Sequence, residues 1–274
     1  MAITTMDGLA AAVAASQDVV LQKASALTAV AAFWYSLRAE PGNPPAGTLA
    51  VGNTANGVVP TDATVGSPDI MAFTGANTGY LASIRLGSTV TQTLVLYDRV
   101  FHAGAYPCTP VGTTNLTAQP SYSGRVQGGT NFGGCEIWLE FNVAIAASAV
   151  TVQVGYQDGT AAGGAAQTTT VTASLASYPT KRMIPLGMAN GTGVQRINSV
   201  IIGGTAAATG SFNVVVLRRL ATIPIMAANL ASIAQDFFAL GGQVVFADSC
   251  LCLMSLATGT SLGTILGDCQ IING

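Results

Sequence analysis

Between Pro41 and Ile70 the chain reads PGNPPAGTLAVGNTANGVVPTDATVGSPDI, and no long regular element can cross it. Proline fixes φ and lacks a donor, while glycine and asparagine (Asn43, Asn53 and Asn56 here) accept positive φ. The stretch therefore reads as successive turns, an extended arm too long for an ordinary connection. It also divides the chain by pattern. Before it, apolar residues recur at helical spacing; after it, they alternate as in strands.

In the N-terminal part, Met6, Val13, Val20, Leu27 and Trp34 fall seven residues apart, with Leu9, Val30 and Leu37 three further on. On a helix over Thr4–Arg38 these residues form one apolar stripe, interrupted at Ser16 and Lys23, along a rod of roughly 50 Å at 1.5 Å per residue. Thr5 is the expected N-cap, and Asp7 suits the first turn. The stripe packs either across the body's own sheet or against another subunit. In the second case these eight side chains are the partner interface.

Past the arm, strands are expected at Tyr80–Leu86, Thr93–His102, Cys135–Ile145, Val150–Gln157 and Thr168–Ala173. Others follow at Arg182–Leu186, Val194–Ile202, Ser211–Leu220, Gln243–Phe246 and Ser249–Leu256. Gly87-Ser88 reads as a turn, and Ala146–Ala149 as the turn of a hairpin. Pro224 opens a helical stretch over Ile225–Leu240 that Gly241-Gly242 stops. The expected fold is mainly β: an antiparallel, jelly-roll-like β-sandwich body (80–274) with a long N-terminal helix (1–40), an extended arm (41–79) and one internal helix.

Charge narrows the function. Charged residues make up 8% of the chain, against about 25% in ordinary soluble proteins. So few charges leave little repulsion between copies, which suits a protein packed against its neighbours. A net charge of −2 and scattered basic residues argue against direct nucleic-acid binding, which needs clustered Lys and Arg. No membrane partner is expected, because no apolar run is long enough to span. The first residues, with Asp7 and no basic n-region, do not read as a secretory signal. Cys108, Cys135, Cys250, Cys252 and Cys269 are either buried free thiols or members of intermolecular disulfides.

Chemistry finds no support. Gly259-Thr260-Ser261-Leu262-Gly263 matches a nucleophile elbow, but the only histidine, His102, lies upstream instead of downstream. Cys250 and Cys252 lack a second pair to complete a metal site. Glu136 and Glu140 would stand roughly 13 Å apart by strand rise, wider than either glycosidase geometry. No catalytic, cofactor-binding or metal residue is assigned, and no cofactor.

The order of an Ala-rich start, then GNPPAGTLAVGNTANGVVPTDATVGSPDI, then strands resembles a group of structural proteins from tailed bacteriophages. Gln119-Pro120-Ser121-Tyr122-Ser123-Gly124-Arg125 and Gln243-Val244-Val245-Phe246-Ala247-Asp248-Ser249 carry the later part of the likeness. The resemblance implies a non-enzymatic virion component made in the host cytoplasm, and it carries over no functional residue. The leading expectation is a capsid decoration or minor capsid protein that cements the shell. Its partners would be the major capsid protein or other virion proteins, and its own state a homo-oligomer, a trimer favoured. A tail, collar or fibre component for host attachment is the alternative, and a virion-associated glycan hydrolase the third reading.

Overall fold

The computed structural model describes residues 3, 5–49, 53–74, 78–109, 111–127, 132–146, 148–159, 166–175, 178–188 and 193–273. In chain order the elements begin with α1 (Met6–Ala14), β1 (Gln17–Ala24), β2 (Trp34–Ser36), β3 (Gly42–Asn43), β4 (Asn53–Val58) and β5 (Thr78–Ser88). They continue with β6 (Gln92–Pro107), β7 (Gly112–Asn115), β8 (Cys135–Val143), β9 (Ser148–Asp158), β10 (Ala166–Leu175), β11 (Arg182–Pro185) and β12 (Val194–Gly204). The last are β13 (Ser211–Ile225), β14 (Leu230–Ala231), β15 (Gln235–Asp236), β16 (Val244–Phe246), β17 (Leu251–Ala257) and β18 (Thr264–Asn273).

The long N-terminal helix is not there. Thr5 does cap α1, its Oγ1 accepting the Gly8 N–H at 3.0 Å, but the helix ends at Ala14. From Gln17 the chain is a strand in which Val19, Leu21 and Lys23 are buried while Asp18, Val20, Gln22 and Ala24 are exposed. That period of two, carried by the β-branched pair Val19-Val20, overrode the seven-residue spacing. The spacing was shared by residues of separate elements.

The internal helix is absent as well. β13 runs through Pro224 to Ile225, and the next residues lie along β5 as β14 and β15. A single helical-type turn forms, Leu240 N–H to the Asp236 carbonyl, and there Gly241 (φ 67°) and Gly242 (φ 64°) let the Gly242 N–H reach the Phe237 carbonyl. The glycine stop signal was real, but it closes a turn.

Nor is the body a jelly-roll sandwich. One sheet has the order β13-β8-β11-β2-β17-β6, with β13 also pairing β6, so six strands close into a barrel and β4 hangs on β6. A second sheet runs β14-β5-β18-β1-β3, with β15 and β16 also on β5, and a third β10-β9-β12-β7. Closure explains why β6 and β13 are buried along almost their whole length: a barrel strand has no free edge and here both faces are covered. The hairpin expected at Ala146–Ala149 also fails, since β8 pairs β11 and β13 whereas β9 pairs β10 and β12. Gly87 and Ser88 lie inside β5, paired with Ala231 and Leu230.

By compactness the chain forms two units: residues 1–47, 61–98 and 219–274, and residues 48–60 and 99–218. The first centres on Leu21, Tyr35, Leu37, Leu81, Leu253 and Ile271. The core of the second is Phe101, Tyr106, Leu139, Phe141, Tyr156 and Phe212. The arm is not extended. Gly47 donates its N–H to the Arg38 carbonyl, Arg38 Nη2 donates to Val65 O at 2.9 Å, and Ile70 and Phe73 enter the first core. Gly66 (φ 95°) crosses so close to Gly47 that an added Cβ would lie 2.6 Å from the Gly47 Cα.

Candidate functional site

The predicted stripe is dispersed. Met6, Leu9 and Val13 share α1, no residue of which is buried. Val20 lies on the outer face of β1, in register with Asp268 of β18. Leu27 packs half-buried on the first core, and Val30 is exposed, its N–H donating to Tyr35 Oη at 2.8 Å. Trp34 pairs with Leu256 as β2 joins β17. Leu37 is fully buried. Three of the eight therefore remain on one exposed helix, and one is core.

Glu140 lies inside the second unit, in a network of buried charges. Arg99 Nη2 donates to Glu140 Oε2 at 2.6 Å and Nη1 donates to His102 Nδ1 at 2.9 Å. Arg125, also buried, donates to the carbonyls of Pro60 and Arg99. Arg99, His102 and Glu140 are each 1% exposed or less. A buried ion pair holds only if it is paired and hydrogen-bonded, which this one is. The pair ties β6 to β8 within the second unit. Glu136 instead accepts the Trp138 Nε1–H at 3.0 Å. The signal for this network was present in LVLYDRVFH: two adjacent charges in an apolar strand cannot both face solvent.

In the first unit Asp98 Oδ2 accepts from Ser249 Oγ at 2.9 Å and Oδ1 from the Cys250 N–H at 3.0 Å. Lys23 Nζ donates to the carbonyls of Glu40 and Pro44, at 3.1 and 2.7 Å. Burial lowers its pKa to about 8. All five cysteines are free and buried, and burial raises Cys108 to about 11 and Cys269 to about 12. Such thiols are inert at neutral pH. Ser261 sits between two strands, not between a strand and a helix, and its Oγ accepts the Gly263 N–H. That connection is no elbow. Among the described residues no group of three or more His, Cys, Asp or Glu is placed to hold a metal, and no helix is long and apolar enough to cross a membrane.

The feature that sequence reading missed is the outward face of residues 224–240. Met226, Leu230, Ile233 and Phe238 are 85, 61, 90 and 67% exposed. Backbone bonds hold the segment on β5, Asn229 N–H to Ser88 O and Ser232 N–H to Leu86 O, each 2.7 Å. Met226, Ala227, Leu230, Ile233 and Ala234 line a groove of about 460 Å3. Leu230 also walls a second groove of about 520 Å3, floored by Gly87 and Gly267 beside Leu266. The spacing of Met226, Leu230 and Ile233 fits a helix face, which is why the sequence suggested a helix over Ile225–Leu240.

No family model and no curated protein matches the chain. Among solved structures, the VP2 subviral particle of infectious bursal disease virus is similar at 10% identity over 94% of this chain and 80% of that one. The TM-score is 0.20, and the likeness carries no argument here.

Proposed function

We propose that the chain is a non-enzymatic structural subunit of a tailed-phage virion, a capsid decoration or minor capsid protein that holds the shell by surface contacts. One observation carries the reading: a chain with 8% charged residues turns several of its charges inward and an apolar face outward. Charges inside leave a sparsely charged exterior, and a contiguous exposed apolar patch marks an interaction surface. Repetition on a lattice lets modest contacts add. The resemblance of the arm and strand sequences to phage structural proteins supports the same class.

The test is the copy number in purified particles, by quantitative mass spectrometry against the major shell protein. A number commensurate with the shell lattice is expected. A number fitting one vertex would transfer the protein to a collar or fibre, and absence from the particle would overturn the virion reading.

A further inference from the structure

We infer that the 224–240 face receives helix α1 of a second copy of this chain, so that copies join head to tail. Two apolar surfaces of matching form stand on one chain. One is a convex helix whose Met6, Leu9 and Val13, at i, i+3 and i+7, form a single stripe, with Met6 68% and Val13 39% exposed. The other is the groove between Met226, Leu230 and Ile233. An amphipathic helix in an apolar groove is a recurring mode of recognition, with anchors at that spacing. Neither surface selects a charged partner, since Asp7 and Asp236 are the only charged residues within 6–14 and 224–240.

The helix does not fill the groove of its own chain. No residue of α1 lines it, and the register of the sheet says why. Through Ala15 and Ser16, α1 is tethered at the end of the sheet where Gln17 pairs with Ile271 and Ile271 with Leu81. The groove runs along the far edge of β5, from Leu230 opposite Ser88 to Gln235 opposite Ile84, with β18 and β5 between it and β1. Three strand spacings across the sheet, about 14 Å, and a further three or more residues along it, about 10 Å or more, separate Gln17 from the groove. Nine helical residues extend only about 13 Å. A helix offered beside β1 and a groove along β5 make a heterologous contact, which closes into a ring or continues as a helical array.

Area sets the strength. The four exposed side chains of 224–240 present on the order of 500 Å2, at the upper end of the patches that ordinary monomers expose. A stable pairwise interface takes about 800 Å2 per partner. One helix-in-groove contact is therefore weak alone and becomes persistent when each copy makes two. This proposal does not rest on the virion reading: it names what the face binds, wherever the copies assemble.

Sedimentation velocity of the full chain over a concentration series tests it. Wild-type protein is expected to form concentration-dependent oligomers that persist at high salt. Ile233→Asp and Val13→Asp should each sediment as monomer with an unchanged circular dichroism spectrum. A wild-type chain that is monomeric at every concentration overturns the proposal. The pairing itself is read by mixing Val13→Cys with Ile233→Cys protein under oxidation. A disulfide between the two variants is expected, and Ile233→Cys joining only to itself overturns the helix as occupant in favour of a face-to-face dimer.

Discussion

The two units use the same sparse charge differently. In residues 48–60 and 99–218, Arg99 bonds Glu140 and His102 inside, Arg125 is buried against carbonyls, and among the described residues the large apolar side chains left well exposed are Val111 and Val143. In the other unit, Lys23 and Asp98 are buried against carbonyls, a hydroxyl and an amide, and the outside carries Met6, Val13, Val20, Met226, Leu230, Ile233 and Phe238. One unit is organised around a buried ion pair, the other around an outward apolar face. A chain with few charges thus buries an ion pair in one unit and turns an apolar face outward in the other.

Trp34 and Trp138 are the only tryptophans, one in each unit, so single-tryptophan variants report the two separately by fluorescence during denaturation. The largest effect is expected for Glu140→Ala, which leaves the Arg99 guanidinium buried without its carboxylate. The loss is about 3–5 kcal/mol, and it should move the Trp138 transition more than the Trp34 transition. Equal movement would show that the two units unfold as one and dissolve the contrast.

Next comes Gly66→Ala, where a positive φ and the nearby Gly47 backbone both oppose a Cβ. The loss there is about 1–3 kcal/mol, read on Trp34. A change within error would mean that the 41–70 turns do not support the first unit.

A smaller effect follows from Lys23. Its folded pKa of about 8 lies below that of the unfolded chain, so the unfolded state holds the proton more tightly and stability rises with pH. Between pH 8 and 10 wild type should gain about 1–2 kcal/mol relative to Lys23→Met. A flat difference would mean that the two carbonyls fully replace water around the ammonium. Smallest of all is Val143→Asp, an exposed change in the second unit. It should cost no more than about 0.5 kcal/mol and leave sedimentation unaltered, in contrast to Ile233→Asp.

Strands were legible where alternation or continuous apolar character ran long, as in Tyr80–Leu86, Thr93–His102 and Cys135–Val143. Partners were not. Cys135–Val143 and the strand after it look like a hairpin by proximity, yet they join different sheets, because which edge a strand meets depends on residues far away in sequence. The helical readings failed where spacing alone was informative. Met6 through Leu37 satisfied a seven-residue interval by drawing on a helix, two strands and the loops between them. Met226, Leu230 and Ile233 kept helical spacing while lying along β5. Of the predicted interface, Met6, Leu9 and Val13 remain on an exposed helix, and Leu37 could not be told from them because buried and docking apolar residues have the same chemistry.

The pairing of β1 with β18, Gln17 against Ile271, also sets an order of events during synthesis. The strand made near the start waits for one made more than two hundred residues later, and β5 waits for the same partner. Until Thr264–Asn273 has left the ribosome, both strands hold open edges. A chain interrupted before that point presents unsatisfied backbone to chaperones and proteases. The sheet is therefore complete only in chains translated past β18.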